Sequence, residues 1–230
     1  QISIDCVIFG YYQKQLKVLV PKLDFNGDFF ALPSGFVHQN EDIDMAAERI
    51  LEERTGLKNV YLEQFKVFGK SARNSATFLD KLIEMNPEKL SEKSKNESDY
   101  DWFTKRFISI GYYALVNIEQ AIPKKNVLDS SINWFNINEL PELIMDHNSI
   151  IEKAVQEFRS DLDEKMNAFY LLPDTFTMRE VQELYETVLN KPIVRTNFQK
   201  KILELNILER LEKKFTGASN KAPYLYRFKK

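Results

Sequence analysis

The sequence predicts an α+β protein of two domains, a larger one over residues 1–160 and a smaller one over residues 168–230. Short β-branched runs and one amphipathic helix share the first part of the chain. Two consecutive amphipathic helices and two short apolar runs occupy the last part. Residues 161–167 between these parts are polar, and we expect them to connect the two domains.

The composition limits the classes of protein to which the chain can belong. A chain of 230 residues with 43% hydrophobic residues can bury a sizeable core, which excludes a disordered protein. The single cysteine, Cys6, stands in an apolar run, so we expect a buried thiol in a reducing compartment and no internal disulfide. Because no apolar run approaches the roughly 18 residues that span a bilayer, and no signal peptide is evident, we expect a cytoplasmic protein without a membrane partner.

The net charge of −2 hides an asymmetry along the chain. Residues 165–230 carry 13 Lys and Arg against 7 Asp and Glu, a net of +6, which leaves −8 for residues 1–164. A basic end on an acidic body indicates a nucleic-acid partner for the end. The alternative is that the lysines keep a small domain soluble, and charge alone does not separate the two.

The first domain is predicted to contain five strands and two long helices. The strands are predicted over residues 2–9, 16–20, 60–68, 106–117 and 127–138. One helix is predicted over residues 42–54, where Gly56 ends it, and another starts at Asn138 and continues to residue 158. Residues 70–105 are predicted as a surface insertion, with one helix over residues 74–90 that ends near Pro87, followed by a polar run over residues 91–101. His147 is expected to cap a helix or face solvent rather than bind metal.

A motif of fixed spacing surrounds the first of these helices. Its members are Gly35, Glu41, Arg49, Leu51, Glu53, Gly56 and Leu57. In order and interval they resemble the Nudix box, which implies an α/β/α sandwich around a mixed sheet. In Nudix hydrolases the box forms a loop, a helix and a loop, and three glutamates on the helix hold Mg²⁺ or Mn²⁺ against a pyrophosphate.

Two of the three glutamate positions have changed in this chain. Ile50, Glu53 and Arg54 stand where the family places its glutamates. Ile50 cannot bind a cation and Arg54 would repel one, so we expect the fold without hydrolase chemistry, metal or cofactor. Gly35, Glu41, Arg49, Glu52 and Glu53 are then residual box positions without a catalytic role. The alternative is a Mg²⁺-dependent hydrolase of ADP-ribose or a similar nucleoside diphosphate derivative, with Glu48, Glu52 and Glu53 improvising the site.

The second domain has the element order of a winged helix-turn-helix. Thr177 is predicted to cap a helix over residues 178–189, and Thr196 is predicted to cap a second over residues 197–205. Strands are predicted over residues 208–214 and 224–228, around a flexible basic turn at residues 216–221. In such a fold the second helix enters the major groove of double-stranded DNA.

The polar residues of this domain lie where a DNA reader needs them. The expected contacts of the second helix are Arg195, Thr196, Asn197, Lys200 and Lys201, and those of the wing are Lys213, Lys214, Asn220 and Lys221. Arg or Lys can pair with guanine, and Asn with adenine. The alternative is a winged fold used for protein contacts.

Together the two halves resemble the Nudix-related transcriptional regulators, such as the NrtR regulators of NAD metabolism and the AraR regulators of arabinose use. Other stretches that support the resemblance are Phe68-Gly69, Asn138-Glu139-Leu140-Pro141, Asp146-His147, Leu171-Leu172-Pro173 and Arg195-Thr196-Asn197-Phe198. The box looks closest to the sugar-responsive branch.

The resemblance implies a function. A homodimer would bind a palindromic operator in double-stranded DNA and release it when a small-molecule effector, a sugar or a nucleotide, binds the Nudix-like domain. By position, Arg73 and Arg106 are the implied effector contacts, although both could equally be exposed structural arginines.

Overall fold

The computed structural model describes residues 2–71, 73, 75–90, 104–214 and 222–229. Six strands form its larger sheet: β1 (Ile2–Tyr12), β2 (Gln15–Leu23), β3 (Ser34–Phe36), β4 (Tyr61–Phe68), β5 (Ile108–Val116) and β6 (Asp129–Asn136). The order is β4-β5-β1-β2-β6, and β3 pairs with the start of β1. The sheet is mixed because β1 and β5 run parallel while the other neighbours are antiparallel.

Helices cover both faces of this sheet. They are α1 (Ile43–Thr55), α2 (Ala76–Met85), α3 (Pro87–Leu90) and α4 (His147–Lys165). Successive side chains of a strand point to opposite faces, so Ile4 and Ile8 pack towards α1 whereas Val7 and Phe9 pack towards α4. This arrangement confirms the predicted α/β/α sandwich and the α+β class.

The insertion packs against the body of the domain. The helix predicted over residues 74–90, with an end near Pro87, is observed as two: α2 ends at Met85, just before Pro87, and α3 follows the break at Asn86. The Asn86 side chain accepts a hydrogen bond from the Asn26 N–H at 2.6 Å and donates one to the Asn26 carbonyl at 3.1 Å. These bonds tie the insertion to the β2–β3 connection. The predicted polar run at residues 91–101 lies outside the described residues.

The segment before α4 also differs from the prediction. A helix was expected to start at Asn138, but α4 begins at His147. The intervening backbone bonds to other partners: the Ile144 N–H donates to the Phe30 carbonyl at 2.8 Å, and the Leu143 N–H donates to the Asn148 side chain at 2.8 Å. The predicted connection at residues 161–167 likewise differs in its first five residues, since α4 continues to Lys165 with Leu162 buried.

The last part of the chain has the winged helix arrangement. A 3₁₀ turn (Asn167–Leu171) leads to β7 (Phe176–Thr177), α5 (Met178–Leu189), α6 (Arg195–Glu204), β8 (Leu208–Lys213) and β9 (Tyr224–Phe228). The three strands pair in the order β7-β9-β8.

One of the two predicted helix caps is confirmed. The Thr177 hydroxyl accepts a hydrogen bond from the Glu180 N–H at 3.2 Å, and the Glu180 carboxylate accepts one from the Thr177 N–H at 2.6 Å. The cap predicted at Thr196 is wrong. The N-cap of α6 is Val194, and Thr196 lies inside the first turn.

The two halves share one hydrophobic core. Phe158 and Leu162 of α4 belong to the same buried cluster as Phe169 and Tyr185 of the winged part. The Arg159 guanidinium also donates to the Val188 carbonyl at 2.6 Å. The predicted boundaries at residues 160 and 168 stay a prediction, but the contacts around them are extensive. Over the described ranges, no helix is both long and apolar enough to cross a membrane.

Candidate functional site

The box loop is closed by an ion pair between Arg49 and Glu41. The Arg49 guanidinium donates to the two Glu41 carboxylate oxygens at 2.7 and 3.0 Å and to the Phe36 carbonyl at 3.0 Å. The hydrogen bonds from Arg49 are the main reason that the pKa of Glu41 falls from 4.5 to about 2. Two of the residual box residues therefore hold the loop that precedes α1 in place.

The face that would hold a metal is occupied by other contacts. Ile50 is 1% exposed and packs under Gly35. Arg54 is buried and donates to the Asp129 carboxylate, which also accepts from the Asn126 N–H at 2.7 Å. This buried pair ties α1 to the start of β6 instead of leaving a ligand at position 54.

The remaining glutamates of α1 do not converge. Glu53 lies 3.4 Å from Arg49, Glu52 lies 3.0 Å from Lys58, and Glu48 is exposed. Across the described part of the chain, no group of three or more His, Cys, Asp and Glu side chains is close enough to hold a metal ion. The residues at the box positions thus do not fit the Mg²⁺ that the Nudix box implies.

A cleft of about 520 Å³ lies on the opposite side of the sheet, between the end of β4 and the start of α4. Four basic residues (Lys66, Lys70, Arg73 and Lys153) and two acidic residues (Asp146 and Glu152) line it. Val67, Phe68 and Met145 supply apolar surface, and Gly69 and Ser149 complete the lining. The size is in the range of small-molecule sites, and the excess of cations suits an anionic ligand.

Of the two predicted effector arginines, Arg73 lines this cleft and Arg106 contacts one of its lining residues. The Arg106 guanidinium donates to the Gly69 carbonyl at 2.7 Å. The Arg73 side chain is 7% exposed and pairs with Asp146 at 2.9 Å and with Asp5 at 3.2 Å. Arg73 therefore orders the wall of the cleft by joining α4 to β1.

Beneath the cleft lies a buried polar cluster that the sequence analysis missed. His147 is buried, which corrects the expected capping or exposed role. Its Nδ1 accepts from the Leu32 N–H at 3.0 Å, and its Nε2 lies 3.9 Å from Asp5. Ser109 also donates to Asp5. The available signal was Asp5 itself, the one charged residue of β1.

In the winged part, α6 presents the polar surface that the sequence predicted. Phe198 and Ile202 are buried, and Phe198 packs against Tyr185 with ring centroids 5.1 Å apart. The exposed residues of α6 include Arg195, Thr196, Asn197, Lys200 and Lys201. The helix therefore turns its apolar side to the core and all five predicted DNA contacts to solvent.

The wing is partly described. Lys213 lies over the Tyr224 ring at 5.4 Å, and Arg210, which the sequence analysis missed, lies over the same ring at 4.6 Å. Lys214 pairs with Glu180 of the α5 capping box at 3.1 Å. The predicted contacts Asn220 and Lys221 lie outside the described residues.

The fold and these two surfaces define a two-part protein, in which a Nudix-fold domain with an altered box carries a winged helix domain. Residues 168–228 match the sequence profile of the NrtR DNA-binding winged helix domain. The whole chain is 24% identical to the ADPR responsive transcriptional repressor NtrR of Acinetobacter baylyi, over 99% of this chain and 81% of the relative.

Solved structures share this fold. Shewanella oneidensis NrtR complexed with a 27mer DNA matches with a TM-score of 0.75 at 22% identity, over 99% of this chain and 93% of that one. A MutT/nudix family protein from Enterococcus faecalis matches with a TM-score of 0.69 at 20% identity, over 99% and 86%. The resemblance to the Nudix-related transcriptional regulators is confirmed. None of these relatives supports the sugar-responsive branch that the box suggested.

Proposed function

We propose that this protein is an ADP-ribose-responsive transcriptional repressor of genes for NAD-related metabolism. The observation that carries the proposal is α6, an exposed polar and basic helix within the segment that matches the NrtR DNA-binding domain. The Acinetobacter relative, a repressor described as ADPR responsive, supplies the effector and the sign of regulation.

The DNA side of the proposal follows from the chemistry of α6. Its N-terminal turn presents the side chains of Arg195 and Asn197, which can form paired hydrogen bonds to guanine and adenine in the major groove. Lys200 and Lys201 stand farther along the exposed side, where phosphates flank the groove. At the wing, Arg210 and Lys213 share the Tyr224 ring and offer a second basic contact to the backbone. We propose that a homodimer places two such helices on the half-sites of a palindromic operator.

The cleft between β4 and α4 is the proposed effector site. ADP-ribose carries a diphosphate, which the lysines of the cleft would neutralise, and an adenine, which suits the apolar surface of Phe68 and Met145. A neutral sugar such as arabinose would leave most of these charges unused. Arg73 and Arg106 remain in the proposed site because they hold Asp146 and the Gly69 carbonyl in its wall.

Release of DNA requires that the effector prefer one arrangement of the dimer. A ligand with equal affinity for the DNA-bound and free arrangements would shift nothing. We therefore propose that ADP-ribose binds more tightly to the arrangement in which the two α6 helices no longer match the operator.

We also propose that ADP-ribose is sensed without being hydrolysed, since Ile50 and the Arg54–Asp129 pair occupy the metal face. The competing function is a Mg²⁺-dependent hydrolase that uses Glu48, Glu52 and Glu53. Mg²⁺-dependent release of AMP from ADP-ribose, abolished by Glu53→Gln, would establish that function and remove the inactive sensor from the proposal.

The test begins with a binding selection from fragmented genomic DNA of the source organism near physiological salt, which suppresses non-specific attraction to phosphate. We expect one palindrome to be enriched and to be released by ADP-ribose but not by arabinose. Lys70→Met and Lys153→Met should weaken the response to ADP-ribose, whereas Lys58→Met, an exposed lysine outside the cleft, should not. Enrichment of no sequence in either the presence or the absence of ADP-ribose would refute the regulator.

A further inference from the structure

The two walls of the effector cleft extend to the winged helix domain. The C-terminal end of β4, at Lys66 and Phe68, forms one wall, and the N-terminal turns of α4 form the other. At their opposite ends the same two elements meet again, where Lys165 of α4 donates to Glu63 of β4. The 3₁₀ turn that enters the winged helix domain begins two residues after Lys165.

A compact cluster of polar groups fills this junction. Besides Glu63, Lys165 bonds to Asp161 at 2.8 Å. The Asn167 amide donates to the hydroxyl oxygens of Tyr61 and Tyr113, at 3.2 and 3.1 Å, and the Tyr61 hydroxyl donates to Glu63. The junction therefore joins β4, β5 and α4 to the first residue of the turn.

Two features of the junction are energetically unfavourable as they stand. The Asn167 Oδ1 atom is buried and is the one side-chain atom of its kind without a hydrogen-bond partner in the described part of the chain. Met166 has φ of +50°, in the left-handed region that disfavours residues with a Cβ. An alternative arrangement that gives this atom a hydrogen-bond partner and relaxes the backbone would remove both free-energy costs.

One wall is also able to move. β4 is an edge strand of the larger sheet, since its partner in the sheet order is β5 alone. The β4–β5 register shifts between Gln64 and Lys66, which separates the junction end of β4 from the cleft end. A bulge disrupts the ladder locally, so the two ends of β4 are less rigidly joined there than in a regular strand.

We propose that residues 165–167 form the joint that transmits occupancy of the cleft to the winged helix domain. This inference rests on the proposed function and adds its mode of regulation. A ligand that changes the spacing of β4 and α4 at the cleft shifts the Lys165–Glu63 contact at their other ends. Met166 then leaves the left-handed region, Asn167 Oδ1 gains a partner, and the winged helix domain turns relative to the Nudix-fold domain.

The test measures coupling rather than binding alone. The affinity of the full-length protein for its selected operator is measured with and without ADP-ribose, and its affinity for ADP-ribose is measured with and without the operator. The ratio of the two affinities in each pair is the coupling factor, and the two pairs must give the same factor. In the wild type we expect a coupling factor of about tenfold or more. Lys165→Met should lower it to less than about twofold while each separate affinity stays within about threefold, and Lys165→Arg should restore it.

Two further variants sharpen the outcome. Lys58→Met removes a comparable exposed ion pair, that with Glu52, and should leave the coupling unchanged. Met166→Gly removes the bias against the left-handed conformation. It should therefore favour the arrangement without ligand and raise the ADP-ribose concentration for half-release of the operator by about fivefold. Thermal unfolding shows which variants are folded.

The possible failures are distinguishable. If the wild type responds to ADP-ribose and both Lys165→Met and Met166→Gly respond identically, the joint lies elsewhere and the proposed function stands. Should the wild type bind no operator, or bind one that ADP-ribose does not release, the proposed function fails and the joint with it.

Discussion

Gly35 lies directly over Ile50 in the box of this protein. A Cβ atom on Gly35 would stand 3.0 Å from Ile50 Cδ1 and 3.1 Å from Cγ1, closer than most such contacts in proteins. The box glycine thus allows β3 to close onto a buried aliphatic side chain. Position 50, where the Nudix box carries a glutamate, is thus part of the hydrophobic core of this protein.

We predict that Ile50→Glu destabilises the protein rather than restoring a metal site. The carboxylate would be buried against Gly35 without a partner, which should lower the free energy of unfolding by about 2–4 kcal/mol. Urea denaturation with and without Mg²⁺ measures this change. Met45→Glu on the exposed side of α1 is the matched control, and its effect should stay within about 0.5 kcal/mol. Equal stabilities of the two variants would contradict the burial of position 50.

The Arg54–Asp129 pair should be more important to stability than its charge suggests. Arg54→Leu leaves the buried Asp129 carboxylate without its cation and should cost about 3–5 kcal/mol. The double variant Arg54→Leu/Asp129→Leu should recover most of that loss, because no unpaired charge is then buried. Removal of the exposed Lys58–Glu52 pair by Lys58→Met should cost at most about 1 kcal/mol. Urea denaturation measures all three variants, and a cost of Arg54→Leu near that of Lys58→Met would contradict the prediction.

His147 should make stability depend on pH. Burial is the largest cause that lowers its pKa below the ordinary 6.5, and it outweighs the opposing effect of Asp5 and Asp146. The unfolded chain then binds the proton more readily than the folded one. The stability associated with the neutral ring is complete above about pH 6.5 and falls as the pH drops from there towards the folded pKa.

The chain offers a matched control for this titration, since His38 is the only other histidine and is exposed. His147→Gln retains an acceptor for the Leu32 N–H and should flatten the pH dependence between pH 7 and pH 5, measured by chemical denaturation at each pH. His38→Gln should leave the dependence as it is in the wild type. The reverse result would mean that the pKa of His147 does not differ between the folded and the unfolded chain.

The basic residues of α6 should differ in what they contribute to DNA binding. Arg195→Ala or Asn197→Ala should weaken binding to the selected operator by about tenfold or more and relax the preference at one base pair. Lys200→Met should weaken binding to all sequences similarly and reduce the slope of log affinity against log salt by about one. Titrations at several salt concentrations separate the two.

Lys214→Met is the matched control within the wing. Lys214 pairs with Glu180 at 3.1 Å, more closely than Lys200 pairs with Glu204 at 3.8 Å, so the loss of Lys214 should change operator affinity by less than that of Lys200. A larger effect for Lys214→Met would place the main phosphate contact on the wing instead of α6.

The sequence by itself determined the fold class, most strand and helix positions, and the box loop. These features depend on local order: the apolar, β-branched run of β1, the helical spacing in α5, and the Thr177-to-Glu180 interval of the capping box. The same locality explains one error. Thr196 has the residue type of a cap, but the buried positions Phe198 and Ile202 set the start of α6 at Arg195.

Only the tertiary structure decided which charged residues pair at the box and at the cleft. Arg54 pairs with Asp129, which is 75 residues away in the sequence. Arg73 pairs with Asp5 and Asp146, which are 68 and 73 residues away. Short-range patterns carry no information about such partners, because burial and charge compensation are properties of the packed core. For the same reason the polar pattern of residues 161–167 predicts a connection, although the helix that contains residues 161–165 packs the Nudix-fold and winged helix domains into one core.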